Sequence, residues 1–146
     1  MERTKVSVDR TLAQIQTMLA RFNVTQMLTD YEAGQVSALS FRLLIDGEHI
    51  PFRLPCRWER VKTRLQKAGK KASRDDTLDA WARRVAWRQV FRWLEAQLAL
   101  IETGMVEFAE VMLPYAQIGP GGATAYEAIR DRKFQAIGDK PKGGAT

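Results

Sequence analysis

Apolar positions recur at helical spacing in VDRTLAQIQTMLARFN, where Leu12, Ile15, Met18, Leu19 and Phe22 gather on one side. Asp9 is the expected N-cap and Asn23 the expected stop. From Val24 to Pro55 the period shortens to two. VTQMLTDY and VSALSFRLLID read as strands around a turn at EAGQ, with Leu39, Phe41, Leu43 and Ile45 alternating with Ser40, Arg42 and Leu44. Asp46-Gly47 signals a tight hairpin, since both residues tolerate positive φ. HIPFRLP then returns with Ile50, Phe52 and Leu54 on one face, and Pro51 puts this strand at a sheet edge or a bulge. The pattern predicts a three-stranded antiparallel meander, which needs helices on its apolar face.

The helical period resumes after Pro55. In LPCRWERVKTRLQKAGKK the residues Trp58, Val61, Leu65 and Ala68 fall on one side, and Arg57, Arg60, Arg64, Lys67 and Lys71 on the other. Gly69 ends that helix, and GKKASRDD reads as a mobile basic loop. A long helix is expected from Asp75 or Asp76, which can cap it, to Gly104. Its core face is Trp87, Val90, Phe91, Leu94, Leu98 and Ile101; Leu78, Trp81 and Val85 make a second apolar side. Such a helix is clasped between two layers or presents one side to a partner. MVEFAEVMLPYAQI gives a shorter helix ended or kinked at Pro114, and GPGG a loop. TAYEAIRDRKFQAIG carries a capping box, Thr124 with Glu127, and apolar Tyr126, Ile129, Phe134 and Ile137. The expected fold is α+β: a single domain over 1–137, in which an N-terminal helix and a long helix pack the meander and smaller helices follow, with a tail over 138–146.

Composition fits that reading. The chain has 146 residues, 45% of them hydrophobic and 27% charged, enough for one continuous core. No apolar run approaches the roughly 18 residues of a membrane-spanning helix, and MERTKVSVDR lacks the apolar core of a signal peptide. The lone Cys56 leaves no internal disulfide, so the cytoplasm of the host cell is the expected place.

Charge says more about function. Between Arg57 and Arg92 stand twelve basic residues against four acidic ones, an excess of eight in a chain whose net charge is +6. The rest of the chain is therefore slightly acidic. A field of one sign attracts polyanions, DNA ahead of RNA, then acidic proteins; no membrane is expected. Lys62, Arg64, Lys67, Lys70, Lys71 and Arg74 are the candidate phosphate contacts of the short helix and loop. Arg84, Arg88 and Arg92, four apart, advance about 6 Å per step, near the phosphate spacing of an extended strand. Trp58 and Trp81 are the candidate base-stacking residues.

Enzyme chemistry has little support. His49 and Cys56 are the one formal nucleophile pair, without a recognisable signature. No Gly-rich phosphate loop follows a strand. Glu102, Glu107 and Glu110 are the best carboxylate group and read as ordinary helix surface. Neither a catalytic residue nor a cofactor nor a metal is expected.

The segments VDRTLAQIQTMLARF, SFRLLIDGEHIPFRLP and AWRQVFRWLEAQLALIETGMVEFAEVMLPY resemble a group of small uncharacterised proteins of double-stranded-DNA phages and prophages. The resemblance implies a phage setting and brings no catalytic residues. The order helix, three strands, helix also looks like the core of phage and eukaryotic single-strand annealing proteins. The expectation is a non-enzymatic protein that binds or anneals single strands in phage DNA replication or recombination. The alternative is an interaction factor, such as an anti-CRISPR-like inhibitor of host defence, whose basic surface meets a protein. A homo-oligomeric assembly component is a third.

Overall fold

Ser7 opens the first helix, α1 (Val8–Leu19), its Oγ accepting the Arg10 N–H at 3.2 Å. Asp9, the expected cap, lies instead in the first turn, where its charge complements the helix dipole. The computed structural model describes residues 5–132. After α1 come β1 (Val24–Glu32), β2 (Gln35–Ile45), β3 (Glu48–Pro55), α2 (Trp58–Lys67), α3 (Leu78–Glu102), α4 (Phe108–Met112) and α5 (Ala125–Asp131). The fold is α+β, as the pattern predicts. Phe134, Ile137 and the expected tail lie outside the described residues.

The strands form one antiparallel sheet in the order β1-β2-β3. Both hairpins turn on two residues of positive φ: Ala33 and Gly34 at 51° and 77°, Asp46 and Gly47 at 49° and 80°. These are the mirror-image turns whose twist matches that of the strands. Pro51 faces Arg42 across the ladder, and its carbonyl points outward to accept the Gln117 N–H at 2.8 Å. The N–H that proline lacks lies on that same outer edge, so no ladder bond is lost. Phe52 and Ala116 bridge there too, so residues after α4 cover the β3 edge.

Leu39, Phe41 and Leu43 of β2 and Phe52 and Leu54 of β3 are buried beneath α1 and α3. Phe41 and Phe52 stack with centroids 5.4 Å apart, and Phe108 of α4 meets both edge-on, at 6.2 and 5.7 Å. Burying each such side chain contributes roughly 1.5–3 kcal/mol. α3 carries both expected apolar sides. Trp87, Phe91, Leu94 and Leu98 enter this core, while Trp81, Ala82 and Val85 enter a second cluster with Leu65 of α2. The two sides are covered within the one chain, so they do not call for a second copy.

α3 begins one or two residues later than an Asp76 or Asp75 cap would set it. Thr77 is the cap, with Oγ1 accepting the Ala80 N–H at 3.0 Å. At the other end Gly104 takes φ 78°, its N–H donating to the Ile101 carbonyl and that of Met105 to Leu100. This glycine turn satisfies the last carbonyls of the helix. α5 starts in the expected capping box: the Thr124 N–H donates to Glu127 at 2.9 Å and the Glu127 N–H to Thr124 Oγ1 at 3.1 Å. The Thr124 backbone N–H, and then its hydroxyl, hold the Glu127 carboxyl below its ordinary range.

Candidate nucleic-acid interface

α2 is amphipathic, and α3 decides which face it hides. Leu65 is fully buried against Trp81, Ala82 and Val85, with Trp58 and Val61 partly buried beside it. Advancing about 100° per residue, Arg57, Arg60, Arg64 and Lys67 fall within an arc of about 80° on the other side. All four are exposed. The helix stops at Gly69, φ 69°, with the Lys70 N–H returning to the Leu65 carbonyl at 2.9 Å.

The loop expected to be mobile is pinned at two points. Ala72 packs on the second apolar cluster, and Asp76 binds Arg84. The Asp76 carboxylate accepts both Arg84 Nη atoms, Nη1 at 3.3 Å, and the Thr77 N–H at 2.9 Å. These partners, Arg84 first, hold its pKa below the ordinary carboxylate value. Lys70 and Lys71, just before Ala72, and Arg74, between the two pins, are exposed. Arg57, Arg60, Arg64, Lys67, Lys70, Lys71 and Arg74 thus form one exposed basic surface, and among the described residues none of the seven is in an ion pair.

Several residues expected at the interface do other work. Trp81 is 4% exposed and cannot reach a base; its indole fills the space between α2 and α3. Trp58 is partly buried and one face is taken by the Arg83 guanidinium, 4.0 Å from the ring centroid. Lys62 reaches Asp79 at 2.6 Å and tethers α2 to the first turn of α3. Arg84 is the Asp76 clamp. Arg88 donates to Gln14 of α1 at 2.5 Å and lies over the Phe91 ring at 4.3 Å. The expected row along α3 is therefore mostly engaged in internal packing, although Arg92 is exposed. Arg64, Lys67, Lys70, Lys71 and Arg74 are all exposed and, among the described residues, outside the ion pairs. Arg57 and Arg60 join them; the same 100° arithmetic that groups Arg64 with Lys67 finds both.

Beside this surface lies a cleft of about 380 Å³ between the start of α2, α3 and the turn after α4. Arg57 and Arg60 stand on its rim, and Val61, Val90, Trp93 and Tyr115 line it. Trp93 and Tyr115 meet at 66° with centroids 5.7 Å apart. No acidic side chain lines this cleft. The groove between α1 and α3, about 490 Å³, has Arg10 and Arg21 balanced by Glu95 and Glu102. That beside α5, about 440 Å³, sets Arg53 and Arg130 against Glu127 and Asp131.

The residues considered for catalysis do not converge. His49 is exposed near the hairpin end of β3 and Cys56 is buried just past its other end. Seven residues of extended chain put them roughly 23 Å apart. Burial, with Glu59 nearby, pushes the Cys56 thiol up to about 12. Glu110 accepts the Glu107 N–H at 3.2 Å and so serves as a helix cap. Among the described residues no three His, Cys, Asp or Glu side chains are grouped to hold a metal ion, and no helix is long and apolar enough to cross a membrane. Comparison with protein-family models, curated proteins and solved structures finds no match.

Proposed function

We propose that this chain is a non-enzymatic nucleic-acid-binding protein that holds single-stranded DNA along α2 and the loop after it. The observation that carries the reading is the set of seven exposed cations without an ion-pair partner on one helix stripe and its pinned loop. Solvated surfaces usually mix signs; here two of the four acidic residues of the same stretch, Asp76 and Asp79, are occupied by Arg84 and Lys62, which leaves Glu59 and Asp75 against the seven cations. Contacts of this kind follow the phosphate backbone and carry no sequence preference. The setting we propose is phage DNA replication or recombination, which the sequence resemblance would imply. Replacing Lys70, Lys71 and Arg74 with Glu tests it. The variant is expected to bind labelled single strands of unrelated sequence more weakly by one common factor, with a salt slope smaller by about 2. Unchanged binding would rule the reading out.

One observation favours a second reading, docking on another protein. β1 is an edge strand whose Leu28 and Tyr31 are 68% and 66% exposed. Exposed strand edges with apolar side chains accept partner strands. Loss of a co-purifying partner in a Leu28→Lys, Tyr31→Lys variant with intact DNA binding would support it.

A further inference from the structure

We infer that the cleft between α2 and α3 takes an unstacked base of the bound strand, with Trp93 as the stacking residue. The inference deepens the nucleic-acid reading and rests on it. Three observations bring it to this place. Arg57 and Arg60 belong both to the basic stripe and to the rim, so a backbone that follows the stripe passes the mouth. Its lining holds two arginines and no carboxylate, whereas the grooves beside α1 and α5 each have carboxylates in their own lining and repel a polyanion in part. Its walls are Val61, Val90, Trp93 and Tyr115, an apolar and aromatic lining of the kind exposed bases favour. Trp93 and Tyr115 are each partly buried and cover one another only edge to face, which leaves ring surface toward the cleft they line. Gln89, exposed on the rim, offers both a donor and an acceptor for a base edge. At about 380 Å³ the volume lies in the roughly 300–1,000 Å³ range of small-ligand sites. Trp81 and Trp58, the tryptophans expected to stack, are buried and capped by Arg83 respectively.

A double comparison tests this. Labelled oligothymidylate and the same backbone carrying abasic sites are titrated against the wild-type protein, Trp93→Ala and Trp93→Phe. Circular dichroism and duplex binding serve as controls for folding and for phosphate contacts. The wild type is expected to prefer the intact strand by about 5- to 100-fold, Trp93→Ala to lose that preference, and Trp93→Phe to keep part of it. Abasic-strand and duplex affinities stay within about twofold in all three proteins. A preference that survives Trp93→Ala, or a wild type that does not distinguish intact from abasic strands, overturns the inference and leaves phosphate binding standing. Trp93-dependent binding of an acidic aromatic peptide without oligonucleotide binding also overturns it and assigns the cleft to a protein. If the wild type binds neither strand at low salt, the nucleic-acid reading fails first and the inference with it.

Discussion

Cys56 sits just before α2, where free amide groups commonly favour a thiolate, and the Trp58 N–H does pull its pKa down. Burial outweighs that and pushes the thiol from 9.0 up to about 12. We expect the native protein to react with a disulfide reagent at neutral pH only through unfolding, measurable as a rate that follows denaturant concentration. Linkage has a definite sign. The folded state keeps a proton that the unfolded chain gives up, so this stability is whole below pH 9.0 and is lost as pH rises toward about 12. The slope is about 1.4 kcal/mol per pH unit, and Cys56→Ala removes it from the alkaline limb of a stability profile. Asp76 works in the opposite direction. Its lowered pKa stabilises the fold above the ordinary carboxylate range and ceases to as pH falls through it, so Asp76→Asn flattens the acid limb. Single residues were also where sequence patterns misled. Trp58 and Trp81 look alike beside basic residues, but Trp81 lies on the side of α3 that α2 covers. Arginines four apart look like a phosphate track until Asp76, eight residues before Arg84, and Gln14, far off in sequence, reach them.

At the scale of elements the pattern was more informative, because each segment's period follows from its own backbone geometry. The change from helical to alternating spacing at Val24, the Asp46-Gly47 turn, Pro51 at the sheet edge and the Thr124–Glu127 box all appear where local chemistry places them. Helix starts were less legible. Several residues near each end can cap, and the cap falls on Thr77 while Asp76 engages Arg84. The first hairpin contains an opportunity for stabilisation. Ala33 holds φ 51°, which costs a residue with a Cβ about 1 kcal/mol that Asn or Gly largely avoids. Ala33→Asn should raise stability by about 0.5–1 kcal/mol in urea unfolding, provided the strands keep their register. The α2–loop unit has the reverse vulnerability. Asp76→Ala frees one end of the loop, and faster amide exchange from Lys70 to Thr77 is the expected readout.

For the molecule as a whole, the sheet with α1 and α3 forms the main core, and α2 clamped on α3 adds a second, smaller one. The second cluster positions the basic stripe, so Leu65→Ala should weaken DNA binding as well as cost about 2–5 kcal/mol of stability. The basic excess was visible in the sequence; which cations stay unpaired, and which cleft they border, depended on packing between α2 and α3. The most direct test of the account follows labelled single-stranded DNA binding by fluorescence anisotropy across a salt series. With five to seven of the seven cations on phosphates, log affinity should fall linearly with log salt with a slope of about −3.5 to −5. A flat slope, or no binding at low salt, would contradict the central claim and leave this surface to an acidic protein or to solvent.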